Sequence, residues 1–297
     1  MPFQSQIIAI FISVYASACG TDKSVPGDSG SGSIPYNLDN PVLALSLEEE
    51  ALREISGLSP AASPGQFVAI ADERGELFFL DSSGAVTKRV LFRDKGDFEG
   101  VEMVGNTIWA VKSDGKIFGI SNWQGEVPSV EEYKTELSKS DDIEGLCYDP
   151  NRNALLLAAK GDPDSTYSRN VYAFSLATKQ LDARPVYSVE PSQVNGLVPY
   201  GESEKHDSFS PSGIAVNPVT GDIYLISSAL KRLIVLDGKS GKIIFARRID
   251  KKRIPQPEGI AFDAKGNLYI SSEGKGENGL LFRFDMLSSG KQVNNHR

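Results

Sequence analysis

One short pattern returns five times along the chain, and it restricts the possible folds more than any other feature. Residues 54–58 (EISGL), 97–101 (DFEGV), 142–146 (DIEGL), 210–214 (SPSGI) and 256–260 (QPEGI) each close on a glycine and an apolar residue. The glycines stand at 57, 100, 145, 213 and 259, giving intervals of 43, 45, 68 and 46 residues. A period near 45 with one insertion of about 23 residues is the mark of a repeat architecture. Within each unit, short apolar runs are broken by Asp-Gly, Thr-Gly and Lys-Gly dipeptides, which signal strands and hairpins rather than helices. Examples are residues 267–271 (NLYIS) and 280–284 (LLFRF), and four units add a further β-like stretch such as 243–248 (IIFARR). Four strands in a period of about 45 residues make one blade of a β-propeller, so the chain is predicted to be all-β and five-bladed.

The fifth unit runs out near Arg297 without an outer strand, whereas residues 41–47 (PVLALSL) read as a strand ahead of the first repeat. That N-terminal strand is expected to complete the last blade and close the ring, which removes open sheet edges. The 28 glycines and 16 prolines beside 14 phenylalanines and 10 tyrosines suit many short strands joined by tight turns. A net charge of -8 argues against a surface that tracks nucleic-acid phosphates. Two histidines, His206 and His296, leave little room for an imidazole-rich metal site, and two cysteines cannot make a disulfide framework. Cys147, within residues 145–148 (GLCY), reads as a buried thiol. The surplus of the long interval falls at residues 190–208, a polar, proline-containing loop that is either a functional lid or an idle insertion.

Residues 1–18 contain no charged side chain, and their apolar stretch from Ile7 to Tyr15 is about half of the roughly 20 residues needed to span a bilayer. They read as an export signal. Residues 16–19 (ASAC) resemble a bacterial lipobox, which would make Cys19 a lipidated N-terminus; a plain secretory signal is the alternative. The Gly/Ser/Asp stretch that follows has nothing to bury and reads as a tether. The expected organisation is a signal over 1–18, a tether over 19–35 and a propeller over 36–297. Membrane contact would come only through Cys19, placing the protein in the cell envelope or, without lipid, outside the cell.

The first strand of each propeller blade lines the central channel, so one position per repeat forms a ring. The residue before each marker glycine is Ser56, Glu99, Glu144, Ser212 or Glu258. Three carboxylates converging on one axis repel unless protons or a cation neutralise them. Calcium, which accepts six to eight oxygen ligands, is the natural metal, and zinc or copper is a poor choice without histidine or cysteine nearby. A second tier follows at Asp72, Lys112, Lys160, Ser228 and Glu273. There Asp72 and Glu273 could add ligands, while Lys112 and Lys160 could instead neutralise the ring without metal. Three motif matches are set aside. Residues 274–279 (GKGENG) spell a dinucleotide fingerprint but lie between two strands and open no helix. Residues 27–30 (GDSG) sit in the tether, and the stretch from Asp162 lacks the glycine and glutamate of an EF-hand, having Tyr167 and Ala173 there.

The repeats 54–58, 97–101, 142–146 and 257–260, with residues 71–75 (ADERG) and 77–81, resemble the SdiA-regulated family of bacterial envelope proteins over roughly residues 40–285. The resemblance implies a five-bladed, NHL-like propeller holding calcium, exported and often anchored at its N-terminus, with no established catalytic activity. Carried onto this sequence, it makes Glu99, Glu144 and Glu258 the metal ligands, with Asp72 and Glu273 behind them. Two functions follow as expectations. One is a lipid-anchored, calcium-binding interaction module whose partner is an envelope protein, a glycan or a small molecule. The other is a calcium-dependent hydrolase of a lactone or phosphoester, which needs a general base that the repeats do not mark.

Overall fold

The computed structural model describes residues 32–164, 167–201 and 208–287. The export signal, Cys19, His206 and His296 lie outside the described residues. Strand β1 (Leu43–Leu47) comes first and is followed by the 3-10 turn Glu50–Glu54. Blade 1 is β2 (Ile55–Pro60), β3 (Phe67–Ala71), β4 (Gly75–Leu80) and β5 (Val86–Arg93). Blade 2 is β6 (Phe98–Val104), β7 (Thr107–Lys112), β8 (Ile117–Ser121) and β9 (Ser129–Tyr133). Blade 3 is β10 (Ile143–Asp149), β11 (Ala154–Ala159), β12 (Arg169–Ser175) and β13 (Gln180–Leu181), with β14 (Tyr187–Val189) also on β12. After helix α1 (Pro191–Leu197), blade 4 is β15 (Gly213–Val216), β16 (Ile223–Ser227), β17 (Arg232–Leu236) and β18 (Ile243–Arg248). Blade 5 is β19 (Gln256–Phe262), β20 (Leu268–Gly274) and β21 (Glu277–Phe284), and β1 is its outer strand. The register runs from Leu43 opposite Arg283 to Leu47 opposite Gly279, antiparallel throughout. The fold is the five-bladed propeller read from the repeats, closed as expected by the N-terminal strand.

Each seam between neighbouring blades holds one hydrophobic cluster, so the core is five wedges around an axis rather than one mass. This explains the continuously apolar strands. In β11, Leu155, Leu157 and Ala159 face the seam with blade 2, while Ala154, Leu156 and Ala158 face the seam with blade 4. A strand buried on both faces has no polar side to alternate with.

The marker glycines sit where inner strands meet. A Cβ on Gly57 would lie 2.9 Å from the Val101 nitrogen, and one on Gly100 2.7 Å from the Leu146 Cβ. One on Gly145 would lie 3.0 Å from the Ile214 nitrogen. The same contact continues from Gly213 to the Glu258 carbonyl, and from Gly259 to Leu58 at 3.0 Å, which completes the circle. Glycine recurs because each blade's backbone presses on the next.

The long insertion differs from its reading as a polar loop. Residues 191–197 form α1, and Val194, Val198 and Phe209 are fully buried in the seam of blades 3 and 4. Three apolar side chains among polar neighbours carry it into the core. The hexapeptide 202–207 lies outside the described residues.

A second closure lies beyond β1. Tyr36 is buried between blades 4 and 5; its hydroxyl donates to the Gly266 carbonyl at 2.6 Å and accepts from Asn217 Nδ2 at 2.8 Å. The Leu287 amide donates to the Pro35 carbonyl at 2.9 Å, tying the two ends of the described chain together.

The glycine ring makes a prediction. Gly100→Ala forces a methyl group onto Leu146 and is expected to destabilise the fold by about 1–3 kcal/mol, the usual cost of overpacking. Alanine at the exposed Gly105 site, where a Cβ meets nothing but the backbone is left-handed, serves as the comparison. Urea unfolding of both variants measures it: a Gly100→Ala midpoint equal to wild type would show that the seams can relax.

Candidate functional site

The side chains before the glycines reach the axis through a backbone device that the repeat pattern encodes. Pairing with the second strand skips a residue between Ile55 and Gly57, Phe98 and Gly100, Ile143 and Gly145, and within Pro257 to Ile260. The skipped residue is the extra one of a β-bulge, which re-aims a side chain and is common next to functional sites. In blade 4, Ser212 precedes β15, and its amide donates to the carbonyl of Ile226, the residue that Gly213 faces. Ser56, Glu99 and Glu258 line the axis together with the glycines around a cavity of about 10 Å³, room for about one water.

The second tier stands where the sequence placed it. Asp72, Lys160 and Ser228 each directly follow a second strand, while Lys112 ends β7 and Glu273 lies near the end of β20. The structure also supplies groups that the sequence reading did not name. Asp97 accepts a hydrogen bond from the Ser113 hydroxyl and bears on Glu99, Asp142 lies 3.8 Å from Lys160, and Glu54 bears on Asp72 and Glu273. Glu54, Asp97 and Asp142 all stand three residues before a marker glycine, so the signal was present in the repeats. Lys231, in the β16–β17 turn, faces Glu258 and Glu273 across a blade boundary, and no spacing announces that.

Neutralisation is uneven around the ring. Lys160 Nζ donates to Glu144 Oε1 at 2.9 Å, the pairing read from the sequence as the alternative to a metal. Lys112 makes no ion pair among the described residues. Burial raises the Glu144 carboxyl, and Lys160 draws it back down. Burial, then Glu144 and Asp97, push Glu99 up to about 9. Glu258 is pushed up to about 8 by burial, against a hydrogen bond from the Ser228 hydroxyl, with Glu273 and Glu144 adding to the rise. Asp72 is raised by burial and by Glu54, and Glu273 by burial, Glu54 and Asp72. Of the two serines of the ring, Ser212 serves a seam, its Oγ donating to the Pro257 carbonyl at 2.6 Å, while Ser56 Oγ makes only a local contact with the Glu54 carbonyl at 3.4 Å.

The donors are those of a hard cation, carboxylate and hydroxyl oxygens throughout, and Asp72 Oδ1 is buried without a hydrogen-bond partner. As they stand, no three acidic, histidine or cysteine side chains among the described residues form a group that could hold a metal ion. The oxygen chemistry therefore suits calcium, while the spacing does not yet make a coordination shell.

A family model described as SdiA-regulated matches residues 42–284. The chain belongs to the SdiA-regulated family. The matched span runs from the start of β1 to the end of β21, so the SdiA-regulated unit is here the whole closed ring. No curated protein matches the chain. Among solved structures, a glutaminyl cyclase of Myxococcus xanthus is similar with a TM-score of 0.59 at 14% identity, over 84% of this chain and 97% of that one. A luciferin-regenerating enzyme gives 0.52 at 15% identity, over 88% and 92%. At these identities the likeness is one of fold.

Below the glycines a further carboxyl lies between blades. Glu102 on β6 is pushed up to about 8 by burial, against hydrogen bonds from Ser59 and the Tyr148 backbone, and it faces the buried Cys147. Its proton is held more tightly in the folded chain than at the ordinary 4.5. Its stabilising contribution is therefore complete below about pH 4.5 and lost as pH rises through about 8. Glu102→Gln is expected to gain stability relative to wild type as pH rises from about 5 to about 9. Urea midpoints across that range test it, and a difference independent of pH would mean that Glu102 ionises freely.

Proposed function

We propose that this chain is an exported, lipid-anchored, calcium-binding interaction module of the cell envelope. The observation that carries the reading is that Glu99 and Glu258, each at a bulge, line the axial cavity, with Glu144, at a third bulge, close enough to act on both. Carboxylates that crowd each other hold protons to unusually high pH, and a divalent cation relieves the same repulsion. Glu99, Glu144 and Glu258 would hold the ion, with Asp72 and Glu273 behind them, and the charge would lock three blades together at their inner edges. The upper face would then present a rigid surface to an envelope protein, a glycan or a small molecule. Anchoring rests on residues 1–19 of the sequence; no helix among the described residues is long and apolar enough to cross a membrane.

A second reading, hydrolysis of a lactone or phosphoester with calcium, has one observation in its favour. Glu99 is pushed up to about 9 beside Glu144, whose own rise on burial is opposed by its ion pair with Lys160. Two carboxyls driven apart in this way can serve as acid and base.

Calorimetry of calcium binding to the metal-stripped full chain tests the first reading. About one equivalent should bind, raise the melting temperature by linkage, and bind roughly tenfold more weakly in Glu144→Gln and in Glu258→Gln. Absence of saturable binding, or binding indifferent to both changes, would leave Glu144 neutralised by Lys160 alone and refute the calcium site.

A further inference from the structure

Beside the axis, on the face where the inner strands begin, lies a cleft of about 760 Å³, a size common for small-molecule sites. Its walls are the 3-10 turn Glu50–Glu54, the turn after β3 and the β20–β21 hairpin tip. Part of the floor is Phe78, with the Arg89 guanidinium 5.1 Å from its ring centroid. Arg89 is already engaged: it forks onto Glu76 at 3.0 and 3.1 Å and reaches Glu49 at 3.3 Å.

Of the remaining charges, Glu50 and Arg53 pair with each other at 3.6 Å, and Glu73 is exposed beside Arg74. At the inner end, next to the axial ring, the carboxyls of Glu54, Asp72 and Glu273 act on one another, and Asp72 Oδ1 is buried with no partner. At the solvent side stand Arg74 and Lys275, both exposed and without an ion-pair partner among the described residues. Lys275 and Gly276 form a left-handed turn, and a Cβ on Gly276 would meet nothing within 4 Å, so the entrance is open. Over the whole lining, seven carboxylates stand against four cationic side chains, which disfavours an anion and calls for a ligand with excess positive charge.

We infer that this cleft binds a small basic amino compound that also carries a carboxylate, as a free basic amino acid does. Its cationic headgroup would lie among Glu54, Asp72 and Glu273, and its carboxylate toward Arg74 and Lys275. The three inner carboxyls form no group that could ligate one metal ion directly, whereas a guanidinium extends five N–H donors in a planar fork and reaches separated acceptors. The orphaned Asp72 oxygen gains the hydrogen bond that it lacks. A bare ion would leave most of the cleft unfilled. The site shares Asp72 and Glu273 with the calcium reading, whereas Glu54, Arg74 and Lys275 belong to it alone.

Calorimetry on the full chain with L-arginine, and with agmatine, which lacks the carboxylate, tests the assignment. Saturable L-arginine binding is expected, with agmatine roughly tenfold weaker, and Glu54→Gln should weaken both by roughly tenfold, the scale of one charge-assisted hydrogen bond. The Arg74→Ala/Lys275→Ala double variant should weaken L-arginine, abolishing its preference over agmatine, without weakening agmatine. No saturable heat from either compound, or a double variant that weakens both equally, would overturn the inference. Arginine binding without calcium binding would refute the metal site alone, and calcium binding without arginine binding would refute this site alone.

Discussion

Five backbone contacts around the axis hold the propeller's geometry in place, one at each glycine where an inner strand rests on its neighbour. A methyl group at any of these points would fall within about 3 Å of atoms on the next blade. The seams outside the axis are side-chain packing and can adjust by rotamer changes; the axial contacts involve main chain and cannot. Blade tilt and ring size follow from that contact. It also explains why the pattern survives in all five repeats while the residues around it vary.

The same contact makes the neighbouring position a functional one. A strand that must bring glycine against its neighbour, and also keep its ladder with the second strand, accommodates one surplus residue by bulging. That surplus residue is the one aimed at the axis. Its side chain is not part of the apolar wedges, so both serine and glutamate occupy it within the one fold. Seam-bonding Ser212 and charged Glu144 thus stand on equivalent backbone. The five apolar wedges and the paired chain ends supply the stability against which crowded carboxyls can be held.

Much of this was legible because the determinants are local. A glycine every 45 residues or so, runs of apolar residues and turn dipeptides lie within one blade, and the closing strand was revealed by the missing outer strand of the fifth unit. Glu99, Glu144 and Glu258 were found because equivalence under the repeat puts them on one axis. What escaped the sequence depends on contacts between blades. Lys160 and Lys112 occupy equivalent positions, yet Lys160 meets Glu144 while Lys112 pairs with no ring carboxyl. Lys231 acts on Glu258 electrostatically, without an ion pair among the described residues, from a turn of the preceding blade. Helix α1 escaped for a different reason: its buried residues are few, and a polar heptapeptide becomes helical there through packing on blades 3 and 4 rather than through its own periodicity.

Charge around the ring is therefore asymmetric, and the asymmetry has a direction. Glu144 is satisfied by a lysine, and Glu258 has both the Ser228 hydroxyl and the nearby Lys231. Glu99 is pushed up by burial and by the further acids Glu144, Asp97 and Asp72, and Asp72 in turn is raised by burial and by Glu54. The acids that no lysine pairs with thus gather on the side of blades 1 and 2 and extend through Asp72 into the cleft between blades 5 and 1. A cation arriving at the upper face is drawn to that side first, whether it is a metal ion that settles toward the axis or an organic cation that stops in the cleft. The fivefold backbone offers equivalent positions, and the placement of two lysines breaks that symmetry into a single direction of approach.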